Sequence, residues 1–344
     1  MHHRSLKTTN RNERQAMSDS GRNVLRKMIQ GALALACVAS GAGLHAEAAF
    51  PSKPLTLYVA FAPGGAGDIV ARLVTRKMSE SMGQPIVIEN RPSPMVAVQT
   101  VQRAKPDGYT MVMAGSGTAL TTGLFKKLPY DLMKDFRHVS SLSTFDLALI
   151  TGTESGFKSV ADVVAYAKAH PGKLNIGTVR VGSTQNLSAE MFKSMAGIDA
   201  LIIPYRTTAE VMSGLRSKDI QVGLEMVPPL LGQIAGGSVR LLAVSSLQRY
   251  QDLPDVPTLD ESGVKGYESG SWNGVSVPAG TPTTIVNRLA SEIAKAVNSP
   301  EVQKELLSMG MRPDRSSPEL MTKRMQGDID KWRGVIKAAN IPLQ

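Results

Sequence analysis

One cysteine in 344 residues leaves no room for a disulfide framework. That cysteine, Cys37, lies in an N-terminal apolar run expected to be removed, so thiolate catalysis and Cys-ligated zinc are excluded from the remainder. Histidine is nearly as scarce. Beyond residue 49 only His138 and His170 remain, too far apart for a helix-spaced metal pair of the H-E-x-x-H kind. Aromatic residues make up 5% of the chain, too few for base-stacking platforms. A strong charge of one sign is also missing. The net charge is +10, but residues 1–49 hold seven bases and three acids, and the rest carries 32 bases against 26 acids, a net of +6 spread along the chain. No nucleic-acid partner is expected from that distribution. Beyond the N-terminal run no stretch approaches the roughly 20 apolar residues of a membrane span. The 42% apolar content is too high for a disordered chain, and the length fits two domains or one large one.

What is present begins with an export signal. Arg26-Lys27 precede an apolar run from Met28 to Leu44, followed by Ala46-Glu-Ala48-Ala49. A basic segment, a short apolar run and an Ala-x-Ala site form a secretory signal, with cleavage expected after Ala48 or Ala49. Ser40, Gly41, Gly43 and His45 interrupt the run and argue against an anchor. Ala34-Leu35-Ala36 before Cys37 is a poor match to a lipoprotein signal, and Met17 is an alternative start, since residues 1–16 are polar. The working protein is expected in the periplasm.

Strand-like and helix-like segments then alternate. Strands are expected at residues 55–61, 86–88, 109–113, 145–150, 174–176, 201–203, 220–224, 239–244 and 271–277. Helices are expected at 68–82, ended by Gly83, and after Ser159, at 186–195 and at 209–216; three more close the chain, opened by Pro282, Ser299-Pro300 and Ser317-Pro318. Such alternation implies an α/β fold with mostly parallel sheets, in which ligands sit beyond the carboxyl ends of the strands.

That rule selects a few loops. Phe61-Ala-Pro-Gly-Gly-Ala-Gly-Asp68 joins a strand to a helix, and Gly64, Gly65, Ala66 and Gly67 would let backbone amides approach an anion. Equally, it reads as a tight turn without a ligand, with Asp68 capping the helix. It is neither a P-loop nor G-x-G-x-x-G. Gly115-Ser116-Gly-Thr118 offers hydroxyls suited to a carboxylate, or a turn satisfied by them. Ser116 lacks a G-x-S-x-G elbow and a histidine base. Arg180-Val-Gly-Ser183-Thr184-Gln-Asn186 supplies a guanidinium able to fork onto a carboxylate, although a solvated surface arginine is the commoner fate. Tyr205 and Glu225 follow two further strands. No metal or cofactor is expected from these residues.

Taken together, these segments resemble the extracytoplasmic solute receptors of tripartite tricarboxylate transporters, the TctC or Bug family. The resemblance runs through Phe50-Pro-Ser-Lys-Pro54, Pro63 to Arg72, Glu89-Asn-Arg-Pro92, Pro106-Asp-Gly-Tyr109, Lys127-Leu-Pro-Tyr-Asp131, Pro171-Gly-Lys-Leu-Asn175, Leu253-Pro-Asp-Val-Pro-Thr258 and Pro278-Ala-Gly-Thr-Pro282. It implies a type II periplasmic-binding-protein fold, with two α/β lobes joined by two hinge crossings. Lobe 1 would comprise residues 50–148 plus 272–344, and lobe 2 residues 149–271. The resemblance also implies a non-enzymatic monomer that closes on a small carboxylate and presents it to membrane permease subunits. Ser93-Pro-Met-Val96, Arg180, Arg206-Thr207 and Glu225-Met226 depart from the family pattern. The ligand-binding residues expected are therefore Phe61, Gly64, Gly65, Ala66, Gly67, Asp68, Ser116, Thr118, Arg180, Ser183, Thr184, Asn186, Tyr205 and Glu225. The alternatives are a sensor subunit serving a membrane signalling partner, and an exported hydrolase using Asp68, Glu225 or Ser116.

Overall fold

A strand of alternating exposure, β1 (Leu55–Val59), opens the fold with Leu55, Leu57 and Val59 buried. The computed structural model describes residues 50–344 except positions 62, 92, 251 and 252; the expected signal segment and Cys37 lie outside the described residues. Helix α1 (Ala66–Met82) follows. It buries Val70, Leu73, Val74 and Met78 and ends at Gly83, whose φ of 67° allows its amide to close the last turn on the Ser79 carbonyl. Ile69, placed on the buried face by its spacing, is 38% exposed. Next come β2 (Ile86–Asn90), α2 (Pro94–Gln102), β3 (Thr110–Gly115) and α3 (Ser116–Leu124).

Strand β4 (Phe136–Gly152) carries the chain from one half of the sheet to the other. The second half is built from α4 (Val160–Ala169), β5 (Leu174–Val179), α5 (Thr184–Ala196), β6 (Ala200–Tyr205), α6 (Thr208–Ser217), β7 (Val222–Met226), a 3-10 turn at Pro228–Leu230, the short α7 (Leu231–Ala235) and β8 (Val239–Val244). Strand β9 (Gly270–Pro278) returns to the first half. Helices α8 (Thr283–Val297) and α9 (Pro300–Ser308), the two-residue β10 (Arg312–Pro313) and α10 (Pro318–Ala338) follow it. Ser159, Ser299 and Ser317 each cap a helix through the side chain, as their positions before the apolar periodicity predict.

The strand order is β2-β1-β3-β9-β4-β7-β5-β6, with β8 and β10 both on β4. Within each half the outer pairs β1–β2, β1–β3, β5–β6 and β5–β7 are parallel, as the alternation predicts. Pairings of β4 and β9 are antiparallel. The consequence is geometric. Strand β9 opposes both β3 and β4, so β3 and β1 run the same way as β4, toward the second half. Strand β7 opposes β4, so β5, β6 and β7 run back toward the first half. The carboxyl ends of both sets therefore converge where β4 changes partners.

The registers give the separation. Gly115 and Ser143 both pair with Asn273, and Leu147 pairs with Met226. The end of β3 is thus level with Ser143 and the end of β7 with Leu147. Four residues of extended chain, about 13 Å, separate them. That span suits a small molecule.

Candidate carboxylate-binding crevice

The loop after β1 is organised from within. Gly64 has φ of 78°, a conformation that favours glycine. Its amide donates to Asp68 Oδ2 at 2.9 Å. Arg72 Nε donates to the same oxygen at 2.9 Å, and Asn90 Nδ2 to Oδ1 at 2.8 Å. Asn90 also donates to the Phe61 carbonyl at 2.9 Å, so the end of β2 fastens both ends of the loop. Burial pushes the Asp68 carboxyl up, but the hydrogen bonds from Arg72, Asn90 and the Gly64 amide outweigh it and hold the group below the ordinary carboxylate range. Gly65, not Asp68, occupies the cap position of α1. Asp68 is buried and ties the loop together; Gly64 and Ala66 are exposed, Gly65 half-buried and Gly67 buried. A side chain at Gly67 would clash with the Phe61 ring, so that ring lies against the first turn of α1 while Phe61 remains 38% exposed.

Sequence alone reads residues 115–118 as a loop; the structure makes Ser116 the first residue of α3. The run of Gly, Thr, Ala and Leu carries too little apolar periodicity to announce that helix. The Ser116 hydroxyl lies 2.5 Å from that of Ser271 and accepts from the Trp272 amide. Thr118 Oγ1 accepts from the Gly115 amide at 3.2 Å. A Cβ at Gly115 would clash with the Trp272 carbonyl oxygen, so only glycine lets β9 approach so closely.

On the opposite wall, Ser183 caps α5: its hydroxyl accepts from the Asn186 amide and donates to the Val179 carbonyl. Asn186 Oδ1 accepts from Gly182, and Thr184 and Asn186 are buried. Arg180 is exposed. Among the described residues only its backbone is engaged, its amide donating to the Tyr205 carbonyl and its carbonyl accepting from the Ser183 amide. Tyr205 turns away along α6, where a side chain at Gly214 would meet its hydroxyl at 2.5 Å. Glu225 is fully buried, with Thr208 Oγ1 donating to Oε2 at 2.8 Å. Burial pushes its carboxyl above the usual range, against hydrogen bonds from Thr208 and Gln185.

The strand directions thus point the Phe61, Gly115 and Arg180 segments toward the place where β4 changes partners. A Cβ at Gly182 would fall 2.7 Å from Leu124 of α3, and Leu124 and Leu187 of α5 share one apolar cluster, so the two walls meet there. The structure places Asp68, Ser116, Ser183, Asn186, Tyr205 and Glu225 in contacts internal to the protein. Sequence reasoning missed Asn90, Gln185, Thr208 and Ser271, whose partners are distant in the chain. It also missed Asn273, level with Gly115 and Ser143, whose side-chain nitrogen is buried without a partner among the described residues. A trough of about 920 Å³ lies elsewhere, lined by Tyr130, Asp131, Arg333 and Lys337 among others, and touches none of the crevice loops. Among the described residues no cluster of His, Cys, Asp or Glu could hold a metal, and no helix is long and apolar enough to cross a membrane.

Residues 70–341 match the model of the tripartite tricarboxylate transporter family receptor, TctC. The chain belongs to this receptor family. A Pseudomonas sp. strain P51 protein of the tcbD-tcbE intergenic region is 32% identical over 317 residues, covering 91% of this chain and 94% of its own. A Rhodopseudomonas palustris protein, Rpa4515, solved with adipate, is 33% identical with a TM-score of 0.72 and covers 85% of this chain and 99% of its own. MatC of the same organism, solved with bound malate, is 29% identical with a TM-score of 0.68, over 83% of this chain and 100% of its own. The fold of the receptor family is therefore the mixed α/β fold of periplasmic binding proteins, and the periplasmic binding protein BugD shares it with a TM-score of 0.69 at 28% identity, over 86% of this chain and 100% of its own.

Proposed function

We propose that the protein is a periplasmic receptor that captures a small carboxylate between two lobes, leaves it chemically unchanged and delivers it to the membrane permease of a tripartite tricarboxylate transporter. The lobes are residues 50–148 with 272–344, and 149–271. One observation carries the assignment: strand ends from both halves of the sheet converge where β4 changes partners, and the loop after β5 bears Arg180, an exposed guanidinium with no ion-pair partner among the described residues. The relatives solved with adipate and malate support a carboxylate. A guanidinium matches a carboxylate in geometry and charge, and such a charge-assisted hydrogen bond contributes about 1.5–3 kcal/mol.

A thermal-shift screen of aliphatic, amino and aromatic acids tests the assignment. An acid present at about 100 times its dissociation constant should stabilise the protein by about 2.7 kcal/mol. Arg180→Ala should weaken binding roughly ten- to hundredfold by calorimetry. Unchanged affinity would remove Arg180 from the site. Turnover of an acid, abolished in Asp68→Asn, would replace the receptor assignment with a hydrolase.

A further inference from the structure

We infer that the preferred ligand is a monocarboxylate with an apolar body, an aromatic or branched aliphatic acid, held by Arg180 with its body between Phe61 and Val181. This rests on the receptor assignment above and concerns only which carboxylate is taken.

Four arginines lie on or beside the crevice loops. Arg72 is bound to Asp68 and Asn90. Arg91 pairs with Glu89 at 3.6 Å. Arg206 holds Glu210 through Nε at 3.0 Å and Nη2 at 2.9 Å. Arg180 has no acidic partner among the described residues. One free guanidinium matches one carboxylate.

A second carboxylate would meet no second free guanidinium on either wall among the described residues. The Gly64 amide is already donated to Asp68, itself an anion with its charge neutralised by Arg72. The Ser116 hydroxyl is joined to Ser271, that of Ser183 donates to the Val179 carbonyl, and Thr118 serves the Gly115 amide. The Gly64 amide and the Ser183 hydroxyl are thus committed within the protein, and the donors that remain, the Thr118 hydroxyl, one proton of the Ser116–Ser271 pair and the Asn273 amide, are neutral. A second charge stripped of water there would have no cation to compensate it among the described residues.

Besides Arg180 and the backbone at Gly64 and Ala66, the two walls expose apolar side chains. Phe61 is 38% exposed although its ring is braced on Gly67, and Val181, next to Arg180, is 54% exposed. By the strand directions they belong to facing loops: β1 and β3 share a register in which Tyr58 is level with Val112, which carries Phe61 to the height of Gly115, and Val181 lies two residues past the end of β5. Closing such a pair of surfaces on an apolar body removes both from water.

Calorimetry with benzoate, cyclohexanecarboxylate, adipate, malate and methyl benzoate tests this. Benzoate or cyclohexanecarboxylate should bind at least tenfold tighter than malate and adipate, and the uncharged ester should not compete. Arg180→Gln should weaken the monocarboxylates at least tenfold. Phe61→Ala should narrow their advantage over malate, and Val181→Ser, a change on an exposed side chain, should do the same without disturbing the loop. If malate or adipate binds more tightly than both monocarboxylates, or if neither Phe61→Ala nor Val181→Ser narrows the gap, the inference falls and the receptor assignment stands. If no acid in the panel binds, and none in the wider thermal-shift screen, the receptor assignment itself falls.

Discussion

Asp68 illustrates how residue type and residue role part company. Its place before an apolar helical face suggests a cap or a ligand contact. In the fold it is the hub of the first crevice loop, accepting from Gly64, Arg72 and Asn90. Asn90 is 22 positions away, so its share is invisible until β2 lies beside β1. Asp68→Asn cannot accept all three donors and should cost about 1–3 kcal/mol in urea unfolding at neutral pH. The sign of its pH dependence follows from the lowered carboxyl. The stabilisation is complete above the ordinary value of 3.8 and is lost as the pH falls through the lower folded value. The difference between wild type and Asp68→Asn should therefore shrink below about pH 4. A difference that grows on acidification would contradict this account.

Among the elements, β4 departs most from the sequence-based expectation. Only residues 145–150 look like a strand, because Arg137, His138, Ser140, Ser141, Ser143 and Thr144 break the apolar run. The strand nonetheless spans Phe136–Gly152. Its polar half is buried between β9, β10 and the covering helices, where some of its groups find partners: His138 Nδ1 with Ser276 at 2.9 Å, and the Ser316 amide donating to Ser140 Oγ at 3.1 Å; His138 Nε2, Ser141 Oγ and Ser143 Oγ are buried without one among the described residues. Burial pulls the His138 imidazole down to about 4 from 6.5. The unfolded chain then takes up the proton first, so stability is full above about pH 6.5 and falls as the pH drops toward 4, by about 3 kcal/mol for a shift of this size. Chemical denaturation between those values should show a flatter pH profile for His138→Gln than for wild type. An NMR titration of His138 with a midpoint near 6.5 would refute the cause assigned.

At the scale of the molecule, the point where β4 changes partners is clamped. Gly270 pairs with Asp146 on one side and Met226 with Leu147 on the other. Arg312, on β10, pairs with Asp146 and donates to Ser246 Oγ at 3.0 Å; Ser246, two residues beyond β8, donates to Asp146 at 3.0 Å. Burial pushes the Asp146 carboxyl up, and Arg312 opposes that rise. The clamp thus joins the returning C-terminal segment, the crossing strand and the second half of the sheet. Arg312→Gln leaves a buried carboxylate without its counter-ion and should cost about 3 kcal/mol in unfolding experiments. Because Arg312 lies outside the crevice loops, the variant should change the affinity of every bound acid by a common factor and keep their order. A reordering of ligand preference would place Arg312 in the site instead.

The chain's own pattern determined the alternation of strands and helices, the helix starts at Ser159, Ser299 and Ser317, the glycine loop after β1 and the family, because these rest on residues close in sequence and on local backbone preferences. The helices α2 and α3, the polar half of β4, the antiparallel course of the crossing strands and the clamp at Asp146 were decided by tertiary structure. So were the partners that Asp68, Ser116, Ser183, Asn186 and Glu225 take inside the protein. The physical reason is the same throughout: a hydroxyl, carboxylate or guanidinium is free for a ligand only if no nearer partner satisfies it, and those partners, such as Asn90 for Asp68 and Ser271 for Ser116, are brought close only by the fold.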